Sequence, residues 1–208
     1  MTTKNTTGYD RGDWIVHCYH GVGQIEDIER KQINDQENTY FRLRTIDSTI
    51  WIPIDQIDNE QIRPISNRTN FQEAVEVLNN QPREMASNLS TRNSRINRVI
   101  AGNIPIETAR LIRDLRARRR SKRGLNQGER NALRDLTKRF VLEWAVCKGV
   151  TIEQATRRLN NKLDEKRVAV KSHSGTTLKD GKVRKKSSLL KTLAVKQAGD
   201  SWAERIAQ

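Results

Sequence analysis

The chain has 208 residues, 35% hydrophobic and 5% aromatic, with 39 Lys and Arg against 25 Asp and Glu for a formal net charge of +14. That length supports one or two small domains with a modest core. No run nears the roughly 18 consecutive apolar residues of a membrane span, and the polar start Met1-Thr-Thr-Lys-Asn-Thr-Thr7 has no apolar signal core, so a soluble, cytoplasmic protein with no membrane partner is expected.

Residues 1–66 hold 7 basic and 11 acidic groups and read as short strands between turn residues. Gly12-Asp13 leads into Trp14-Ile-Val-His-Cys-Tyr19, an alternating run broken by His20-Gly-Val-Gly23. Val22 to Ile28 is a second strand with Gln24, Glu26 and Asp27 interleaved. Thr39-Tyr-Phe-Arg-Leu-Arg44 and Ser48-Thr-Ile-Trp-Ile-Pro-Ile54 are two more, with a turn at 46–48. Pro53 cannot donate to a ladder, so it ends its strand or lies on an edge. Four or five short strands in about 60 residues make a small, bent sheet or a partly open barrel.

From Thr69 the period changes. Phe71, Ala74, Val75 and Leu78 fall at i, i+3, i+4 and i+7, the spacing of one helix face. Ile106, Ala109, Ile112 and Leu115 mark another helix, with Pro105 in its first turn. Gly124 ends it, and Asn126-Gln-Gly-Glu129 opens the next in the manner of a capping box. That helix carries Leu133, Leu136, Phe140, Val141 and Trp144 on one face and stops at Gly149. Thr151-Ile-Glu-Gln154 starts a last one with Ala155, Leu159 and Leu163. A compact bundle follows from such helices and short connections. Residues 67–163 hold 21 basic and 9 acidic groups. Arg113 to Arg123 is the densest stretch, more cationic than a helix C-terminus needs for its dipole. Arg92, Arg95 and Arg98 precede it. Arg130, Arg134 and Lys138 follow on one helix face. A surface that tracks nucleic-acid phosphates is the favoured reading.

Residues 164–208 lose the periodicity and hold 11 basic and 5 acidic groups, as expected of a basic tether. The segment from Ser187 to Ala207 places Leu189, Leu193, Trp202 and Ile206 loosely on one helical face, which suits either a partner or the bundle itself. No histidine stands in a metal frame, Cys18 and Cys147 have no zinc spacing, and there is no phosphate loop or nucleophile elbow. The expectation is a protein that is not an enzyme, with no cofactor and no metal.

Together these motifs resemble the CarD/CdnL family of bacterial transcription regulators. Gly12-Asp-Trp-Ile-Val-His-Cys-Tyr-His-Gly-Val-Gly-Gln-Ile25 is similar to that family's opening strand pair, and Ile50-Trp-Ile-Pro53 to its later strand. Ile112-Arg-Asp-Leu115, Gly124-Leu-Asn-Gln-Gly-Glu-Arg130, Leu142-Glu143 and Ala155 follow the order of its helices. The resemblance covers about residues 10 to 163. The first part alone also resembles the polymerase-interacting domain of the transcription-repair coupling factor.

The resemblance implies an α+β chain: a small Tudor-like barrel at 1–66 that binds the RNA polymerase β subunit, a helical bundle at 67–163 that contacts promoter double-stranded DNA at the upstream edge of the bubble, and a basic tail at 164–208. It implies a monomer, associated with the nucleoid, that modulates and in this family usually stabilises the open complex. For the polymerase it points to Arg30, Lys31 and Trp51, the last replacing an arginine frequent in the family. The other reading of Trp51 is a core aromatic. For DNA it points to Leu89, Arg92 and Arg130, to which the cationic stretches read above add Arg95, Arg119 and Lys122. Leu89 stands in Asn88-Leu-Ser-Thr-Arg92, where the family has a tryptophan that wedges into the minor groove. Leucine can serve as such a wedge with less area for stacking, or it can close the bundle core. The competing function is a polymerase-binding adaptor that recruits another protein through its tail.

Overall fold

The computed structural model describes residues 8–33, 36–56 and 62–164. The tail from 165 onwards, and the tether and terminal segment expected in it, lie outside the described residues.

The expected α+β order is present. Strands β1 (Trp14–His17), β2 (Gly21–Ile33), β3 (Gln36–Thr45), β4 (Thr49–Pro53) and β5 (Ile62–Pro64) form one antiparallel sheet of order β4-β3-β2-β1-β5. The register of β2 on β3 shifts between Ile25 and Asp27. Such a bulge adds twist and bends the sheet around its core. That core is Ile15, Ile25, Phe41, Leu43, Ile52 and Ile62. Pro53 closes an edge strand, where its missing N–H costs no ladder bond.

The glycines of the His20-Gly-Val-Gly23 turn have separate causes. Gly21 has φ +78°, in the left-handed region that favours glycine. At Gly23 a Cβ would stand 2.7 Å from Leu43 Cγ and 3.0 Å from the Arg44 carbonyl, so the β2–β3 contact has no room for a side chain.

Five helices follow: α1 (Arg68–Val77), α2 (Leu89–Gly102), α3 (Pro105–Arg120), α4 (Gln127–Lys148) and α5 (Ile152–Asp164). Their ends match the local chemistry. Asn126 and Glu129 make a reciprocal capping box at the start of α4, and Gly149, left-handed at φ 61°, ends it. Pro105 lies in the first turn of α3. The apolar face read from Phe71 to Leu78 is buried against α3 and α4, where Phe71, Phe140 and Trp144 pack as tilted and edge-on aromatics.

Sheet and bundle are joined through side chains. Val16, Val22 and Leu142 pack together at the junction. Arg63 of β5 donates to both carboxylate oxygens of Glu143 at 2.7 and 2.8 Å and to the Asn103 carbonyl at 2.6 Å. The Ser66 hydroxyl and backbone N–H also donate to Glu143. Asn103, left-handed at φ 48°, donates through its amide to the Val16 carbonyl. Arg139 donates to the Cys18 and Tyr19 carbonyls, and Lys138 to Asp47. Both cysteines are buried and unbridged. Burial, then the Glu143 charge, pushes the Cys147 thiol up to about 12, so it stays protonated and unreactive at neutral pH.

Candidate functional site

Two surfaces hold most of the residues singled out by sequence. The first is the outward face of β2, β3 and β4. Neighbouring strand residues point to opposite sides, so Glu29 and Lys31 share this face and Arg30 points away from it. Trp51 is 44% exposed, so it is a surface aromatic and not a core one. Its indole N–H donates to Glu29 at 2.8 Å, and the Lys31 ammonium lies 3.5 Å from its ring centroid. Arg42, opposite Trp51 in the ladder, binds Glu29 at 2.8 Å; Arg44 binds Glu26 at 3.1 Å. The Trp51 hydrogen bond first, then Arg42 and Lys31, hold the Glu29 carboxyl below its ordinary pKa. The indole is thereby fixed at the surface, with its N–H edge on Glu29 and the Lys31 ammonium over its ring.

The second surface surrounds the start of α2. Asn88 caps the helix by accepting from Ser90 and Thr91 backbone N–H groups. Leu89, its first residue, is 47% exposed, so it does not close the bundle core. Arg92 has another task than the phosphate contact expected of it. It is buried, its Nε binding Glu129 at 2.5 Å and its Nη1 the Ala86 and Ser87 carbonyls. No reach to a phosphate remains, because the guanidinium ties the segment before Leu89 to the first turn of α4. Burial alone would raise the Glu129 pKa; the Arg92 hydrogen bond, the Asn126 N–H and the charges of Arg92 and Arg118 outweigh it and lower it. Arg95 is half-buried and binds Asp114 at 2.6 Å, a carboxylate that also accepts from Arg113 and the Arg83 backbone N–H.

Beside this end, Lys122 and Arg123 border an open recess of about 420 Å³ with Arg83, Met85 and Arg118. Arg98 borders a second recess, of about 340 Å³, with Met85, Thr91 and Arg95. Among the described residues no carboxylate pairs with Arg98, Lys122 or Arg123. Arg119 and Arg130 are exposed, but they line a different groove, on the far side of α4. The structure thus brings Leu89, Arg95 and Lys122 toward one end of the bundle and separates Arg119 and Arg130 from them. Sequence reasoning missed the three buried carboxylates, Asp114, Glu129 and Glu143. The capping-box spacing was the one available signal, and it concerned Glu129 alone.

Among the described residues no group of three or more His, Cys, Asp or Glu is arranged to hold a metal ion, and no helix is long and apolar enough to cross a membrane.

Comparisons with known proteins divide the chain at the same junction. Residues 9–66 match the family model described as the CarD-like/TRCF RID domain, and residues 73–160 match the CarD C-terminal domain. The chain is similar to the candidate transcription factor YdeB of Bacillus subtilis (strain 168), 29% identical over 147 residues, which are 69% of this chain and 94% of that protein. It is also similar to the transcription-repair-coupling factors of Staphylococcus epidermidis, 35% identical over 51 residues, and Staphylococcus haemolyticus, 33% over 51. Those matches cover 24% of this chain and 4% of the coupling factors' length.

Proposed function

This chain belongs to the CarD family of transcription factors, and from that premise we propose that it bridges the RNA polymerase β subunit and promoter DNA and stabilises the open complex. The sheet would meet polymerase through Trp51, Lys31 and Glu29. Arg30, on the other side of β2, would contribute through long-range charge alone. The α2 end of the bundle would meet the upstream edge of the bubble, with Leu89 as an apolar wedge and Arg95, Arg98 and Lys122 toward the phosphates.

The observation that carries this reading is the placement of Leu89. A half-exposed leucine on the first helical turn, with a buried arginine fixing the segment before it, suits insertion between partly unstacked bases. The cations supply affinity for backbone without sequence choice. Polymerase would supply the location. The Arg63–Glu143 junction would keep the distance from Trp51 to Leu89 constant, so that a protein held on the β subunit presents Leu89 at one point of the promoter. Such a protein shifts the closed-to-open equilibrium by as much as it binds the open form better. A difference of about 1.4 kcal/mol is tenfold.

Leu89→Ala tests it. Open-complex lifetime is expected to fall several-fold while affinity for polymerase stays constant; the exposed position limits any stability change to about 0.5 kcal/mol. An unchanged lifetime on several promoters would remove Leu89 from the mechanism.

A further inference from the structure

We infer that the groove bounded by the end of α3, the outer face of α4, the start of α5 and the β3–β4 turn docks an acidic amphipathic helix of a partner protein. This goes beyond the polymerase and DNA contacts proposed above and uses neither Trp51 nor Leu89.

The groove has a volume of about 890 Å³. Its floor is apolar: Leu133, Val141 and Leu142 lie at the bottom, and half-buried Ile46 and Ile152 form its walls. Its rim is cationic, with Arg116 and Arg119 from α3 and Arg130, Arg134 and Lys138 from α4. Lys138 is met by Asp47 and Arg134 by Asp135. Arg116 donates to the neutral Asn160 side chain, and Arg130 to the Leu125 carbonyl and the Gln127 side chain. Among the described residues Arg119 pairs with no carboxylate. Burial first, then Arg119, lowers the Arg116 pKa, with Asp164 acting against them and Arg120 adding to the lowering. With Asp47 and Asp135 the only carboxylates lining it against five cations, this rim keeps an excess of positive charge.

The occupant has to satisfy floor and rim together. A DNA backbone would use the cations and leave the apolar floor unmatched. The chain's own residues 165–208, with 11 basic groups and 4 acidic, carry the wrong sign. An acidic amphipathic helix matches both: its leucine-type face covers the floor as in helix-in-groove recognition. Carboxylates spaced i, i+4 face Arg130, Arg134 and Lys138, which repeat at the same spacing over about 12 Å of α4.

The test is fluorescence anisotropy on the full chain with four labelled probes: a synthetic helix with a leucine face and a glutamate face, the same helix with lysines for glutamates, the peptide 187–208, and a DNA duplex. The glutamate helix is expected to bind about tenfold more tightly than the lysine helix. Arg119→Glu combined with Arg130→Glu is expected to abolish that preference while duplex affinity changes by less than about threefold, and Ile46→Ser to weaken the glutamate helix alone. Equal binding of the two helices, tighter binding of the 187–208 peptide, indifference to Ile46→Ser, or a parallel loss of duplex binding in the double variant would each overturn the proposal. Failure of the open-complex reading would show instead with Leu89→Ala, which lies outside this groove.

Discussion

Glu29 on the sheet and Glu129 in the bundle both bind an arginine and both have lowered pKa values, but they lie on opposite sides of the solvent boundary. The Glu29 side chain is 25% exposed and the Glu129 side chain 1%. The difference extends to their neighbours. On the sheet, Glu26 and Glu29 stand at the surface around Trp51, and Arg42, Arg44 and Lys31 partner them in water. In the bundle, Asp114, Glu129 and Glu143 are inside, each matched by an arginine. Burying a carboxylate is tolerable only when paired and hydrogen-bonded, and these three are. The bundle therefore buries acids and arginines together, which leaves its net charge nearly unchanged and the charged side chains at its surface mostly cationic. The sheet keeps its acids outside and surrounds an aromatic with both signs of charge. One surface suits a polyanion, the other a protein.

The contrast can be broken at its two glutamates. Glu129→Ala would leave the Arg92 guanidinium buried beside the Ala86 and Ser87 carbonyls without a counter-charge, and the Asn126 N–H without its acceptor. The expected loss is about 3–5 kcal/mol of folding stability, read as a lower urea midpoint. Glu29→Ala should move the midpoint far less, because water already screens its partners. Equal costs would mean that the two carboxylates do the same work and that burial is not what separates them.

Trp51 sharpens the other half. Trp51→Ala should weaken binding to the isolated polymerase β lobe by about 2 kcal/mol, as for an aromatic anchor at an interface, while the urea midpoint barely moves. Lys31→Glu should follow with a smaller effect, since Lys31 lies on the indole, and Arg30→Glu with the smallest, from the opposite side of β2. If Arg30→Glu matched Lys31→Glu, contact would not be confined to the Trp51 face. Polymerase titrations at two salt concentrations would then separate the charge effect from the contact.

Much of the fold was legible because it rests on local rules. Alternation gave the strands, the i, i+3, i+4 spacing gave α1, the capping box gave the start of α4, and Gly149 its end. The fates of the arginines were not legible. Arg92 and Arg113 read as part of a cationic surface, yet each is bound inside, while Arg95 is half-buried on Asp114 and Arg139 is bound across the junction. Their partners, Glu129, Asp114 and the Val77 and Tyr19 carbonyls, lie up to 120 residues away. Charge counted along a chain carries no information on such pairings. Leu89 and Trp51 had two readings each, core or surface, because a single apolar residue at the end of an element has no period to assign it. Packing places both at the surface.

The smallest effect lies at the junction between the two regions, where His17 ends β1. Its Nδ1 accepts from the backbone N–H groups of Tyr19 and His20 at 3.1 and 3.3 Å, which an imidazolium cannot do. Burial first, then the nearby His20 and Arg139, lowers its pKa from 6.5 to about 4. Between those values the unfolded chain takes up a proton that the folded one refuses, so this site's contribution is complete above pH about 6.5 and is lost as pH falls toward 4. Solvent around the turn screens part of the effect, leaving a loss on the order of 1 kcal/mol. His17→Asn keeps an acceptor for the two N–H groups and has nothing to protonate. The difference between the urea midpoints of wild type and variant should shrink steadily from pH 7 to pH 4.5, since carboxylates elsewhere titrate alike in both proteins. A constant difference would place the proton acceptor elsewhere and remove pH as a handle on the junction that sets Trp51 and Leu89 in register.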